Sequence, residues 1–262
     1  MARRRRKNKN FSKILKRYFV RLVKLIQTPI GITVVVGIFL IVIISILDIK
    51  YLESGSGRDI LIEAHGLLFD IFVFGVLLAY LNKFLEKKQR SERYKEEIDD
   101  FRGWEEKEAK YRIVGNIKRL NKLGSTRIDL NNCYLANADL QNANLVKANL
   151  QNVDLSDADL QFADLSYANL SYANLTGADL SNALLRGANL QNAILKNSQL
   201  LRTSLWRANL NQADLSGGNL KQTNLLEADL TDVVFENTQF EKVKMDQALA
   251  SEELKQVASE ND

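Results

Sequence analysis

The chain of 262 residues holds one cysteine, one histidine, one proline and two tryptophans. A single cysteine excludes a disulfide framework. One histidine, His65, leaves no set of ligands at metal-binding spacing, and no nucleophile–base constellation or phosphate loop is present. The sequence therefore reads as no enzyme, with no cofactor and no metal. The formal net charge of +4 hides a split between halves. Residues 1–28 carry eleven Lys or Arg and no acid, whereas residues 125–250 carry nine basic and fourteen acidic residues.

What the chain does have is a repeat. Leu or Phe recurs every fifth residue from Leu130 to Phe240 without a slip, and a small residue (Ala138, Ala143, Ala148 and onward) stands two places before most of them. Between the two sits mostly Asn or Asp, so the unit is A-(N/D)-L-x-x. A period of five scatters leucines around a helix and alternates them across a strand. A chain that turns a corner every five residues points all of them inward, and stacked coils then share one core. The inward small position also holds Cys133, Val153, Thr203, Gly218, Thr223 and Val233. A buried, unreactive thiol is the expectation for Cys133.

These residues resemble the pentapeptide-repeat family. The resemblance implies a β-solenoid, a right-handed quadrilateral β-helix with four repeats per coil over residues 125–245. Nearly six coils at about 4.8 Å each make a rod of roughly 28 Å. It also suggests a bacterial origin and a non-catalytic role.

The N-terminal half reads as two transmembrane α-helices. Residues 30–47 hold no charge over 18 residues, long enough to span a bilayer, which places the first span at 29–48. A second apolar stretch, 60–82, includes Glu63, His65 and Asp70. Its aliphatic and Phe residues favour insertion by about 6 kcal/mol against about 3 kcal/mol for a central Asp. The loop 49–59 is short and its only basic residues are Lys50 and Arg58, while both flanks are strongly basic. The positive-inside rule then places both termini in the cytoplasm, on a bacterial inner membrane. Within residues 1–28 an amphipathic helix is expected to lie on anionic lipid through Arg3, Arg4, Arg5, Arg6, Lys13, Lys16, Arg17, Arg21 and Lys24. Lipid is favoured over nucleic acid for this segment because it adjoins the first span.

Residues 83–124 are charged, with Tyr94, Ile98 and Phe101, then Tyr111, Val114, Ile117 and Leu120, at helical spacing. They are expected to form one or two helices that cap the first coil, with Trp104 packed in the cap. A capping box at Ser251 predicts a short closing helix in 246–262.

Two candidate sites follow. Glu63 and Asp70, seven apart on one helix face, are intramembrane carboxylates and so candidate functional groups. On the folded rod, residues 20 apart stack. That puts Arg186, Trp206 and Leu226 in one column and Tyr167 and Arg207 in the next, with Trp206 free to stack on Arg186. The leading functional reading is a membrane-anchored cytoplasmic scaffold whose Trp206 face docks an unidentified protein. The alternative is a homo-oligomeric ion-conducting or membrane-perturbing device regulated by the rod. A third reading follows from soluble members of the family that resemble DNA and protect topoisomerases from quinolones. This chain departs from them in its Asn-, Gln- and Ser-rich repeat surface and its apolar segments.

Overall fold

The computed structural model describes residues 58–250, without the side chains of 58–65 and Leu68, together with Gly37. The expected interfacial helix in 1–28, the first span at 29–48, most of the loop at 49–59 and the closing helix from Ser251 lie outside the described residues. The chain divides into two compact units, Met1–Lys88 and Gln89–Asp262.

Two helices precede the repeats. Helix α1 runs Arg58–Asp100 and α2 runs Lys107–Lys122. The expected boundary at residue 82 is therefore not a helix end, because nothing between Leu81 and Asp100 is a proline or glycine that would stop it. Among the described residues, no helix is long and apolar enough to cross a membrane, so the second span expected over 60–82 is not shown. In the first unit, Gly37 is a buried helical residue, and the Phe72 ring fills the space where a Cβ of residue 37 would stand.

From Asp129 the chain forms a four-sided coil. Parallel bridges join residues 20 apart at every fifth position, from Asp129↔Asn149 to Asp229↔Leu249. The pattern thus continues past the expected end at 245. Each side is a three-residue alternation, such as Ala138 in, Asp139 out, Leu140 in. Such sides give single bridges and no longer strands among the described residues, because each corner consumes the residues that a ladder would need. At every corner from Asn132 to Asp232 the inward small residue's N–H closes a turn on the preceding leucine's carbonyl, as from Ala138 to Leu135 at 3.0 Å. The second of the two residues between them is left-handed at every corner from Asn132 to Gln247. Asn, whose short side chain tolerates this region, is the commonest occupant. The leucines at every fifth position from Leu130 to Leu225 are fully buried, and Thr203 and Thr223 in the inward position satisfy their hydroxyls on the Leu180 and Leu200 carbonyls at 2.7 Å.

The outward Asn and Asp do two jobs. Each Oδ1 accepts the backbone N–H two residues on, as Asp154 does from Ser156 at 3.0 Å, which stabilises the corner. On one side Asn149, Asn169, Asn189 and Asn209 also link to one another, with amide contacts of 3.2–3.4 Å.

The first coil is closed by the cap. Ile98 from the end of α1 and Ile113, Ile117 and Leu120 from α2 are buried in the same cluster as Leu130 and Leu135. Tyr111, expected on this face, is 60% exposed. Ala109, Ile113 and Asn116 take the positions beside Ile117 instead. Trp104 is half exposed and packs edge-on against Phe101 at 5.6 Å. An open coil also leaves carbonyls without the previous coil's donors. Cap side chains supply them. Arg102 donates to the Asn131 and Asp129 carbonyls, Lys110 to Ala136 at 2.8 Å, and the Asn121 amide to Asn144 at 2.7 Å. Asn121 also accepts the Asn144 N–H at 2.8 Å, so one side chain stands in for a missing stretch of backbone. Helix α2 ends where Gly124, at φ +78, lets Gly124 and Ser125 bond back to Asn121 and Leu120.

Candidate interaction face

The corner hydrogen bonds fix the columns expected from the repeat. The Lys147, Tyr167, Gly187 and Arg207 amides donate to the carbonyls of Ser166, Arg186, Trp206 and Leu226. The structure therefore brings Tyr167, Arg186, Trp206, Arg207 and Leu226 to one corner of the rod.

Within this group the partner of Trp206 differs from expectation. Arg207, not Arg186, lies over the indole, 4.6 Å from its centroid. Glu227, one coil on, is the reason. It accepts from Arg207 Nε at 2.5 Å and from Trp206 Nε1 at 3.2 Å, holding the guanidinium across the ring. The repeat already places Glu227 one coil beyond Arg207 in the same column, but its brace on Trp206 depends on side-chain geometry that the period does not give. Arg186 is exposed, and among the described residues no carboxylate pairs with it. Tyr167 is 60% exposed, leans over Gly187, and carries Lys147 Nζ at 5.9 Å from its ring. Leu226 is half-buried. The same side shows Leu184, half-buried where the repeat normally puts Asn or Asp, and Phe162, exposed at a left-handed corner. Leu184 was legible as a break in the N/D position.

The Arg207 guanidinium, and then the Trp206 N–H, hold the Glu227 carboxyl below its usual range. A depressed folded value means that the contribution is present above the ordinary Glu pKa of about 4.3 and is lost as pH falls through the lower folded value. In a Trp104→Phe background, Trp206 emission is expected to stay constant above about pH 4.3 and to change only below it. Glu227→Gln should abolish that acid limb. An unchanged limb in the variant would show that another group reports.

Elsewhere the chemistry is sparse. Cys133 is buried, and desolvation pushes its thiol up to about 11. A polar cleft of about 360 Å³ beside the cap is lined by Glu105, Lys110, Tyr134, Ala136, Asn137 and Asp154. Among the described residues, no group of His, Cys, Asp or Glu could hold a metal ion. Asp70 is exposed on α1, while the side chains of Glu63 and His65 and the basic residues of 1–28 lie outside the described residues.

A family profile described as pentapeptide repeats matches eight copies over residues 126–161, 163–202 and 208–247. Similar solved structures include a pentapeptide repeat protein of the cyanobacterium Cyanothece 51142, 30% identical, covering 37% of this chain and 64% of that one at a TM-score of 0.30. One from the thylakoid lumen of Arabidopsis thaliana is 35% identical, covering 34% and 61% at a TM-score of 0.33. One from Nostoc PCC 7120 is 34% identical, covering 50% and 94% at a TM-score of 0.21. The chain thus spans less than two thirds of the first two relatives and nearly all of the third. No match is found among curated proteins. With the five-residue period, the bridges 20 apart and this match, the chain belongs to the pentapeptide repeat family.

Proposed function

We propose that the protein is a membrane-anchored, non-catalytic scaffold whose cytoplasmic rod docks a protein partner through the Trp206 corner. The observation that carries the docking role is the pairing of a braced aromatic with an uncommitted cation. Glu227 and Arg207 fix Trp206, so little side-chain freedom is lost on binding. Arg186 stands one coil away without a carboxylate. Trp and Arg are the residue types that dominate interface energies. A partner offering a carboxylate to Arg186 and an apolar side chain to Leu184 and Leu226 fits this corner.

The anchoring rests on the uncharged run 30–47 and on α1, whose side chains from Leu67 to Leu85 are largely apolar and exposed around much of the helix, including Leu67, Phe69, Ile71, Phe74, Leu77 and Leu81. A helix with apolar side chains on every side belongs in lipid or a protein core. DNA mimicry fits the rod less well, since this corner carries Arg186 and Arg207 where a phosphate-like surface needs acids.

The test is crosslinking in intact membranes, comparing the native chain with a Trp206→Ala, Arg186→Ala variant. A specific crosslinked protein should fall by at least about tenfold in the variant, the loss of roughly two hot-spot side chains. The same crosslinks at the same yield in both would remove the docking role.

A further inference from the structure

The faces of α1 are not equivalent. Phe72, Gly75, Val76 and Ala79 recur at helical spacing and are half-buried, and Phe72 fills the notch at Gly37. Asp70 is the only charge between Gly66 and Leu81. At 100° per residue it lies about 160° round the helix from Phe72, with Phe74, Leu77 and Leu81 within about 40° of it. Asp70 therefore faces away from the Gly37 contact. It is exposed, as are Phe74 at 60%, Leu77 at 59% and Leu81 at 45%.

In an apolar layer, a carboxyl in that position demands a polar partner. Within α1 the flanking cations Arg58 and Lys83 are 12 and 13 residues away, about 18–20 Å along the axis. A carboxylic acid beside a carboxylate is both donor and acceptor, so the group is complementary to itself. A second copy inserted with the same topology brings an identical group to the same depth, which an unrelated helix does only by coincidence. A two-fold axis then joins like to like.

We propose that α1 pairs with α1 of a second copy through the face of Asp70, Phe74, Leu77 and Leu81, the two Asp70 side chains meeting across the axis. The pairing rests on the membrane reading above and specifies the interface of the oligomer. It does not involve the Trp206 corner.

The full chain in native membranes tests it, in a Cys133→Ala background that puts the commonest inward residue in the core. Single cysteines are placed at Leu77, on the Asp70 face, and at Val76, on the Gly37 face, and oxidised with copper phenanthroline. Leu77→Cys should give a dimer and Val76→Cys should not. Adding Asp70→Ala should lower the Leu77→Cys yield by about three- to tenfold, the size of an interhelical hydrogen bond in membranes, and Asp70→Asn should keep it. Release of the chain by alkaline carbonate would overturn both the membrane reading and the pairing. Retention in the membrane with a monomeric Leu77→Cys, or a dimer from Val76→Cys instead, would overturn the pairing alone. So would an Asp70→Ala variant that crosslinks undiminished, or a Leu77→Cys adduct with a different protein.

Discussion

Ile117→Asp unfolds the cap and carries the first coil with it. Ile117 is fully buried between α2 and the first leucines of the rod. Truncation to Ala alone costs about 2–5 kcal/mol. A carboxylate there adds the cost of burying a charge among apolar side chains. The second loss is structural. When α2 leaves, the Asn121 and Lys110 bonds to Asn144 and Ala136 go with it, leaving an open coil end with unpaired carbonyls. The expected result is loss of protection from amide exchange in the first coil and concentration-dependent association through the bare end. Unchanged exchange at Leu135 and Leu140 would mean that the coils need no cap. Lys118→Ala is the matched control. Its pair with Asp139 is exposed on both sides, so about 0.5 kcal/mol is the expected cost.

Leu175→Ala should destabilise the rod by about 2–5 kcal/mol, read as a shifted urea midpoint. Leu175 is fully buried at mid-rod, between Leu155 and Leu195 in its column. The interior is filled by leucines and alanines that already sit in contact, so the surroundings cannot collapse into the space. The position adds a qualitative effect. A solenoid's stability is a sum of unit and nearest-neighbour terms. A weak coil in the middle should therefore split the transition into two, while the same loss near either end should only fray it. Leu249, 65% exposed, supplies the comparison: its change to Ala should cost within about 0.5 kcal/mol. Equal costs at the two sites would contradict the described interior.

The repeat was readable because its physics is local and periodic. Five residues per side turn every leucine inward, and Asp154 or Asp159 needs only the backbone two residues on to fulfil its role. The columns were readable for the same reason, once four repeats per coil were assumed. The cap was legible only in part. Helical spacing found Ile98, Val114, Ile117 and Leu120, but it also nominated Tyr111. The rotation of α2 against the coil is set by where Ile113 and Asn116 fit, and nothing local to α2 encodes that.

Residues 125–250 determined by themselves that a four-sided rod forms, which side chains fill it and which corners turn left-handed, because each of those choices is settled within five residues. Tertiary structure decided what acts at its surface. Arg207 and Glu227 are 20 residues apart and meet only across adjacent coils, so the brace on Trp206 and the freedom of Arg186 follow from stacking. Asn121 and Asn144 likewise meet only where a helix replaces a coil. Asp70 could be picked out from hydropathy. That it faces away from Gly37 depends on which side of α1 is already covered, a relation between segments more than thirty residues apart.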